Sequence, residues 1–409
     1  MAQAEAAVPL TWREQSVVWL ISGGHGVTHY MHTIVVVLSP ILRVQFDLSY
    51  TQLGLFYTIY TSGNFIAAVV GGPLGDLTGR RQLLQVVSMI MLSLAVLLFG
   101  FIAEYVWLCT VAVLISFASQ LWHPAAIPYL ATRFNDHRGY VMSIHGMSSN
   151  LGDVLVTLVV PAMISGNYLI MQVAPMPWRD VVLINAIPGL LILPFLVVMA
   201  MKEKAVAAGG GSGLDLKTYF AGIRVQLKNR TVLGIGLIAG LRTTAQSGSR
   251  NFLPVYLVDQ FQWSLTQAGI ALLLLNLGGS FGAIPAGMAS DKYGRRKVMM
   301  WAIALATVFI LLLPFLQNEL YIVFGICLVG FSIYATRPVL LSWMMDVVPG
   351  NFRGTATSLM FGAQSVFSVP NMVITGIIAD TFGISTIFYY FAFMLLLANV
   401  VAFFLPKGE

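Results

Sequence analysis

The chain has 409 residues, 58% of them hydrophobic and only 9% charged, with a mean hydropathy of +0.83. A soluble core of this length cannot hide that much apolar surface, since soluble domains carry about a quarter charged residues. The net charge of +6 would suit nucleic acid, but the bases sit in short loops between apolar runs, which argues against that partner and fits a membrane topology.

The apolar runs are continuous over about twenty residues rather than alternating with period two, so the expected fold is all-α and integral to the membrane. Twelve transmembrane helices are expected over 17–42, 50–75, 82–103, 106–132, 139–165, 179–201, 231–257, 264–289, 298–316, 320–346, 354–380 and 384–405. The first run is too long for a signal-peptide core and no small-residue cleavage site follows it, so it reads as a retained helix. The largest break holds Gly-Gly-Gly-Ser-Gly at 209–213 and then a basic piece with Lys217, Arg224, Lys228 and Arg230. It reads as a flexible cytoplasmic linker followed by a surface-lying segment. The expected domains are therefore 1–201, a linker over 202–230, and 231–409.

Of the 22 Lys and Arg residues, 17 fall at the termini and in loops 2–3, 4–5, 6–7, 8–9 and 10–11, while the alternate loops hold only Arg43 and Arg179. Both termini are expected in the cytoplasm, with the chain in a plasma or bacterial inner membrane. Cys109 and Cys327 lie inside apolar runs and offer neither a disulfide framework nor a thiolate metal site.

The two halves repeat each other. Gly72-Pro-Leu-Gly-Asp-Leu-Thr-Gly-Arg-Arg81 recurs 215 positions later as Gly287-Met-Ala-Ser-Asp-Lys-Tyr-Gly-Arg-Arg296, placing Asp76 on Asp291 and Arg80 on Arg295. The same register aligns Leu48–Gly54 with Trp263–Gly269, and Arg138-Gly139 with Arg353-Gly354. A repeat held in one register across several helices means two copies of one six-helix unit.

These residues resemble the major facilitator superfamily. The pattern from Gly72 to Arg81 is similar to its loop 2–3 signature, and Asp346 followed by six residues and Arg353 is similar to its acidic motif after helix 10. Phe46–Gly54, Trp122-His123-Pro124-Ala125, the Gly146–Asp153 region and Phe404-Leu405-Pro406 most resemble the fosmidomycin-resistance-type exporters. The resemblance implies two pseudo-symmetric six-helix halves, alternating access and export. Asp76, Arg80, Asp291, Arg295, Asp346 and Arg353 are then gating candidates, although arginines in such loops also serve simply to fix topology.

Ionisable groups at membrane depth cost several kcal/mol and face the interior, a wet cavity or each other. His25, His29 and His32 lie on one stripe of the first span, His123 lies in the fourth, and His145 and Asp153 lie in the fifth. The second half holds Arg242 with Gln246 on one stripe, Arg250 near a helix end, Arg337, and Gln364 with Ser368 and Asn371. His123 and Arg337 occupy equivalent places, each followed by proline. These groups are expected to line one central cavity.

Proton coupling falls to His25, His29, His123 and Asp153, and substrate binding to Arg242, Arg337, Gln246, His32, His145 and Gln364. Fixed guanidiniums suit a carboxylate, phosphate or phosphonate, while imidazole titrates near physiological pH. The expected function is a proton-coupled secondary transporter, working as a monomer and exporting a small anionic or amphiphilic compound. One alternative uses the histidines to carry a divalent metal or metal chelate. Another is a receptor or scaffold that keeps the fold without transport. No nucleophile elbow, nucleotide loop or Walker sequence is present, so neither an enzyme nor a bound cofactor is expected, and an ion gradient replaces ATP.

Overall fold

The computed structural model describes residues 10–78, 80–167, 172–202, 224, 228–348 and 353–405, with the side chains of 72, 73, 75–78, 135, 353–359 and 361 left out. Its helices are α1 (Trp12–Val37), α2 (Ser39–Gln45), α3 (Tyr50–Thr78), α4 (Arg81–Phe99), α5 (Tyr105–Arg133), α6 (Arg138–Ser165), α7 (Trp178–Asn185) and α8 (Ile187–Met201). They continue as α9 (Arg230–Phe261), α10 (Leu265–Tyr293), α11 (Arg295–Leu312), α12 (Glu319–Val347), α13 (Arg353–Phe382) and α14 (Ile387–Phe404).

Among the described residues, ten helical stretches are long and apolar enough to cross a membrane, or eleven when α1 and α2 are taken as one span. Those two meet at a bend of 43° beside Pro40, whose ring lacks an amide donor and disfavours helix in the residue before it. The remaining expected span, α9, is 32 residues long and carries Arg242, Arg250 and Asp259 within its length. Most of the expected linker, 202–230, lies outside the described residues.

The chain forms two compact units, residues 1–38 with 59–213 and residues 39–58 with 214–409. In the first, α1 packs on α6, α4 on α5, and α4 on α8; in the second, the equivalent pairs α9–α13, α11–α12 and α11–α14 pack in the same way. The sequence repeat is therefore a repeat of helix pairings. Its most local element is a capping box. Ser49 and Gln52 exchange backbone and side-chain hydrogen bonds at the start of α3 (2.9 and 3.2 Å), and Ser264 and Gln267 do the same at the start of α10. Each box satisfies amide donors that the first helical turn leaves open.

The segment 39–58 joins the second unit through specific polar contacts. Asp380 accepts from the backbone N–H groups of Tyr50 (2.8 Å) and Thr51 (2.7 Å), so a carboxylate from α13 caps the positive end of α3. Asp259 accepts from the Tyr50 hydroxyl and pairs with Arg43, both at 2.9 Å, and the Arg43 guanidinium lies 4.2 Å from the Tyr50 ring centre. Tyr57 donates to the Asn251 carbonyl at 3.0 Å, and Thr58 to that of Val369 at 2.8 Å.

Candidate functional site

In the first unit, small residues let α1 meet its neighbours backbone to backbone, the usual device of membrane helices. A Cβ on Gly152 would collide with the Gly26 carbonyl, and one on Gly26 would lie 2.8 Å from the Ser148 carbonyl. Gly24 admits the Trp122 ring, which is fully buried against it. These approaches set His25 and His29 of α1 beside His145 and Asp153 of α6 and beside His123 of α5.

The cluster is tightly connected. His25 Nδ1 lies 2.7 Å from the His145 carbonyl oxygen, and its Nε2 lies 3.2 Å from Nε2 of His123. The rings of His25 and His145 are stacked, with centroids 3.9 Å apart. His29 Nδ1 lies 3.3 Å from Asp153 Oδ2, and Thr33 donates to Asp153 Oδ1 at 2.5 Å. His25 and His145 are buried, whereas the His29 side chain keeps 27% of its exposure and so marks the open side. His32 stands apart from this group, its ring against Tyr60 at 4.9 Å and its carbonyl accepting from the Tyr60 hydroxyl.

In the second unit, Arg242 of α9 is only 2% exposed. Its Nη1 donates to Thr336 at 3.2 Å and its Nη2 to Thr243 at 3.1 Å, while its Nε has no partner. Thr336 gives its own hydrogen to the Ile333 carbonyl, so its oxygen is set to accept. No carboxylate reaches Arg242 among the described residues. The nearby charge is Arg337, which repels it. Arg337 is itself exposed and makes no hydrogen bond or ion pair among the described residues. Gln246 and Gln364 are half-buried and do not bond Arg242. Asn371 instead ties α13 to α9 by donating to the Thr244 carbonyl at 2.9 Å.

Of the gating candidates, Arg295 gathers three partners. Its Nε donates to Asp346 at 2.9 Å, and its Nη1 donates to Ser290 at 2.7 Å and to Asp291. One guanidinium thus joins the ends of α10 and α12. Arg80 is exposed, and the side chains of Asp76 and Arg353 lie outside the described residues.

The family model described as Major Facilitator Superfamily matches residues 21–255 and 235–409, together nearly the whole chain. The chain belongs to the Major Facilitator Superfamily. This major facilitator protein is 23% identical to the fosmidomycin resistance protein of Escherichia coli K12, over 95% of this chain and 92% of that one. It is equally 23% identical to the phosphoglycerate transporter protein of Salmonella typhimurium, over 89% of this chain and 81% of its relative. Its fold matches the crystal structure of a bacterial homolog of the human lysosomal transporter Spinster with a TM-score of 0.82, at 16% identity and 97% coverage of both chains. As a major facilitator protein it is an integral membrane transporter of small molecules and not an enzyme.

Several residues that shape these sites gave weak sequence signals. Thr33 lies one turn beyond His29 on the same stripe, a placement that could have marked it as a partner for Asp153. Thr336 and Thr243, the acceptors for Arg242, each adjoin a noted residue, but a lone threonine in an apolar helix carries no signal of its own.

Proposed function

We propose that this transporter moves a small anionic compound, outward and by alternating access, with protons as the coupling ion and both termini in the cytoplasm. The observation that carries the anion is Arg242, a buried guanidinium held by two hydroxyl groups and faced by a second cation rather than an acid. Leaving a buried charge without its counterion costs about 3–5 kcal/mol. An arriving carboxylate or phosphate would recover much of that through charge-assisted, bidentate bonds. The phosphoglycerate transporter among the relatives is named for a compound with both groups. Export leans on the relative named for fosmidomycin resistance. The proton's route would run through His123, His25, His29 and Asp153, which form a string of contacts in one unit.

Binding is tested by thermal unfolding of the purified protein with phosphoglycerate, inorganic phosphate, a carboxylate and a neutral sugar. Stabilisation by at least one of the anions, absent with the sugar and lost in Arg242→Gln, supports the assignment. Equal responses of wild type and variant to every anion would discard it.

A further inference from the structure

We propose that His25, His29 and His123 form a three-nitrogen site for a first-row transition-metal ion such as Zn²⁺ or Co²⁺. The site is independent of the anion site at Arg242, which belongs to other helices. Each of the three imidazoles has its Nδ1 against an oxygen acceptor: the His145 carbonyl at 2.7 Å for His25, the Gln120 carbonyl at 3.3 Å for His123, and Asp153, in its carboxylate form, at 3.3 Å for His29. Those contacts place a hydrogen on each Nδ1. In the neutral ring the remaining nitrogen, Nε2, then carries a lone pair. This is how metal-binding histidines are oriented, with the second nitrogen donating to a carbonyl or a carboxylate.

One ligand nitrogen from each of the three side chains lies within 4.8 Å of the others. The Nε2 atoms of His25 and His123 are 3.2 Å apart. A tetrahedral ion with nitrogens at 2.0–2.1 Å has an N–N edge of about 3.3 Å. A proton between His25 and His123 would relieve the facing lone pairs of those two rings, but it makes no use of His29. A metal ion would engage all three once the nitrogens now up to 4.8 Å apart close toward that edge. Asp153 is itself fixed by Thr33 at 2.5 Å, which holds the His29 ring in turn.

All-imidazole coordination selects Zn²⁺, Co²⁺, Ni²⁺ or Cu²⁺ over Mg²⁺ and Ca²⁺, which demand oxygen. Three protein ligands leave a fourth position for water or for an oxygen of an anionic chelator. The partly exposed side of His29 gives the ion a way in. Metal and protons compete for the same lone pairs, so an occupied site would block the proton route.

The test is titration of the tag-free full-length protein with Co²⁺ at about pH 7.5, where unperturbed imidazole is mostly neutral. The readouts are the visible absorption of tetrahedral cobalt and its displacement by Zn²⁺. One equivalent should bind, and His29→Gln or His123→Gln should weaken binding by 100-fold or more. Asp153→Asn should weaken it by about 10–100-fold, as loss of an outer-shell partner does. Size-exclusion elution and thermal unfolding of the metal-free protein serve as the folding control and should match wild type in these variants. If no saturable cobalt or zinc binding occurs, or if both histidine variants bind as wild type does, the site is refuted whatever the anion experiment shows.

Discussion

The Nε2 atoms of His25 and His123 face each other at 3.2 Å across the α1–α5 contact, while both Nδ1 atoms point at backbone carbonyls. That pairing exists because Gly24 leaves room for the Trp122 ring, the residue before His123. The chemistry of the first unit is thus set by where its helices lack side chains.

Gly152→Ala should therefore destabilise the protein more than Gly146→Ala, although both lie in α6. A methyl at 152 strikes the Gly26 carbonyl, whereas one at 146 meets nothing within 4 Å. Overpacking of this kind costs about 1–3 kcal/mol. Thermal unfolding in detergent should show a drop of several degrees for the first substitution and little or no drop for the second. Equal shifts would mean that the α1–α6 approach does not hold the cluster together.

Asp380→Ala should loosen the segment 39–58 from the second unit. The carboxylate accepts from two backbone amides at the start of α3, and a capping interaction is worth about 1 kcal/mol. Hydrogen exchange at Tyr50 and Thr51 should accelerate several-fold, with no comparable change around Arg242. Unchanged exchange at those two amides would show that the cap carries no weight.

Arg295→Ala should slow transport without weakening ligand binding. Its acidic partners Asp291 and Asp346 are well exposed, so the loss in stability should stay below about 1 kcal/mol. What disappears is the link between the ends of α10 and α12. Lower flux with unchanged anion-induced stabilisation is the expected pair of results. Unaltered flux would leave Arg295 with a topological role alone.

The helices were legible in the sequence because lipid imposes them: a backbone without water must bond to itself for the whole width of the bilayer. The repeat was legible for a related reason, since Ser49/Gln52 and Ser264/Gln267 are the same capping device used twice. The i, i+4, i+7 spacing placed His25, His29 and His32 on one face, but a stripe fixes direction and not depth. Seven residues advance a helix by about 10 Å, and His32 accordingly lies against Tyr60, away from the cluster. Contacts between distant segments, such as Thr33 with Asp153, Arg242 with Thr336 and Asp380 with the start of α3, depend on packing that no local pattern encodes. The bend at Pro40 had a local signal in the proline itself, but the apolar run continues through it and so reads as one span over 17–42.

The central claim is that Arg242 holds an anionic cargo. Its most direct test is uptake of labelled phosphoglycerate and inorganic phosphate into proteoliposomes carrying wild type or Arg242→Gln. Loss of one hydrogen-bonded charge partner is worth about 1.5–3 kcal/mol, or roughly 10–100-fold in affinity. The wild type should move at least one of these anions, and at low concentration the variant should do so at least about 10-fold more slowly. Equal flux through both proteins, or wild-type transport confined to neutral solutes, would contradict it.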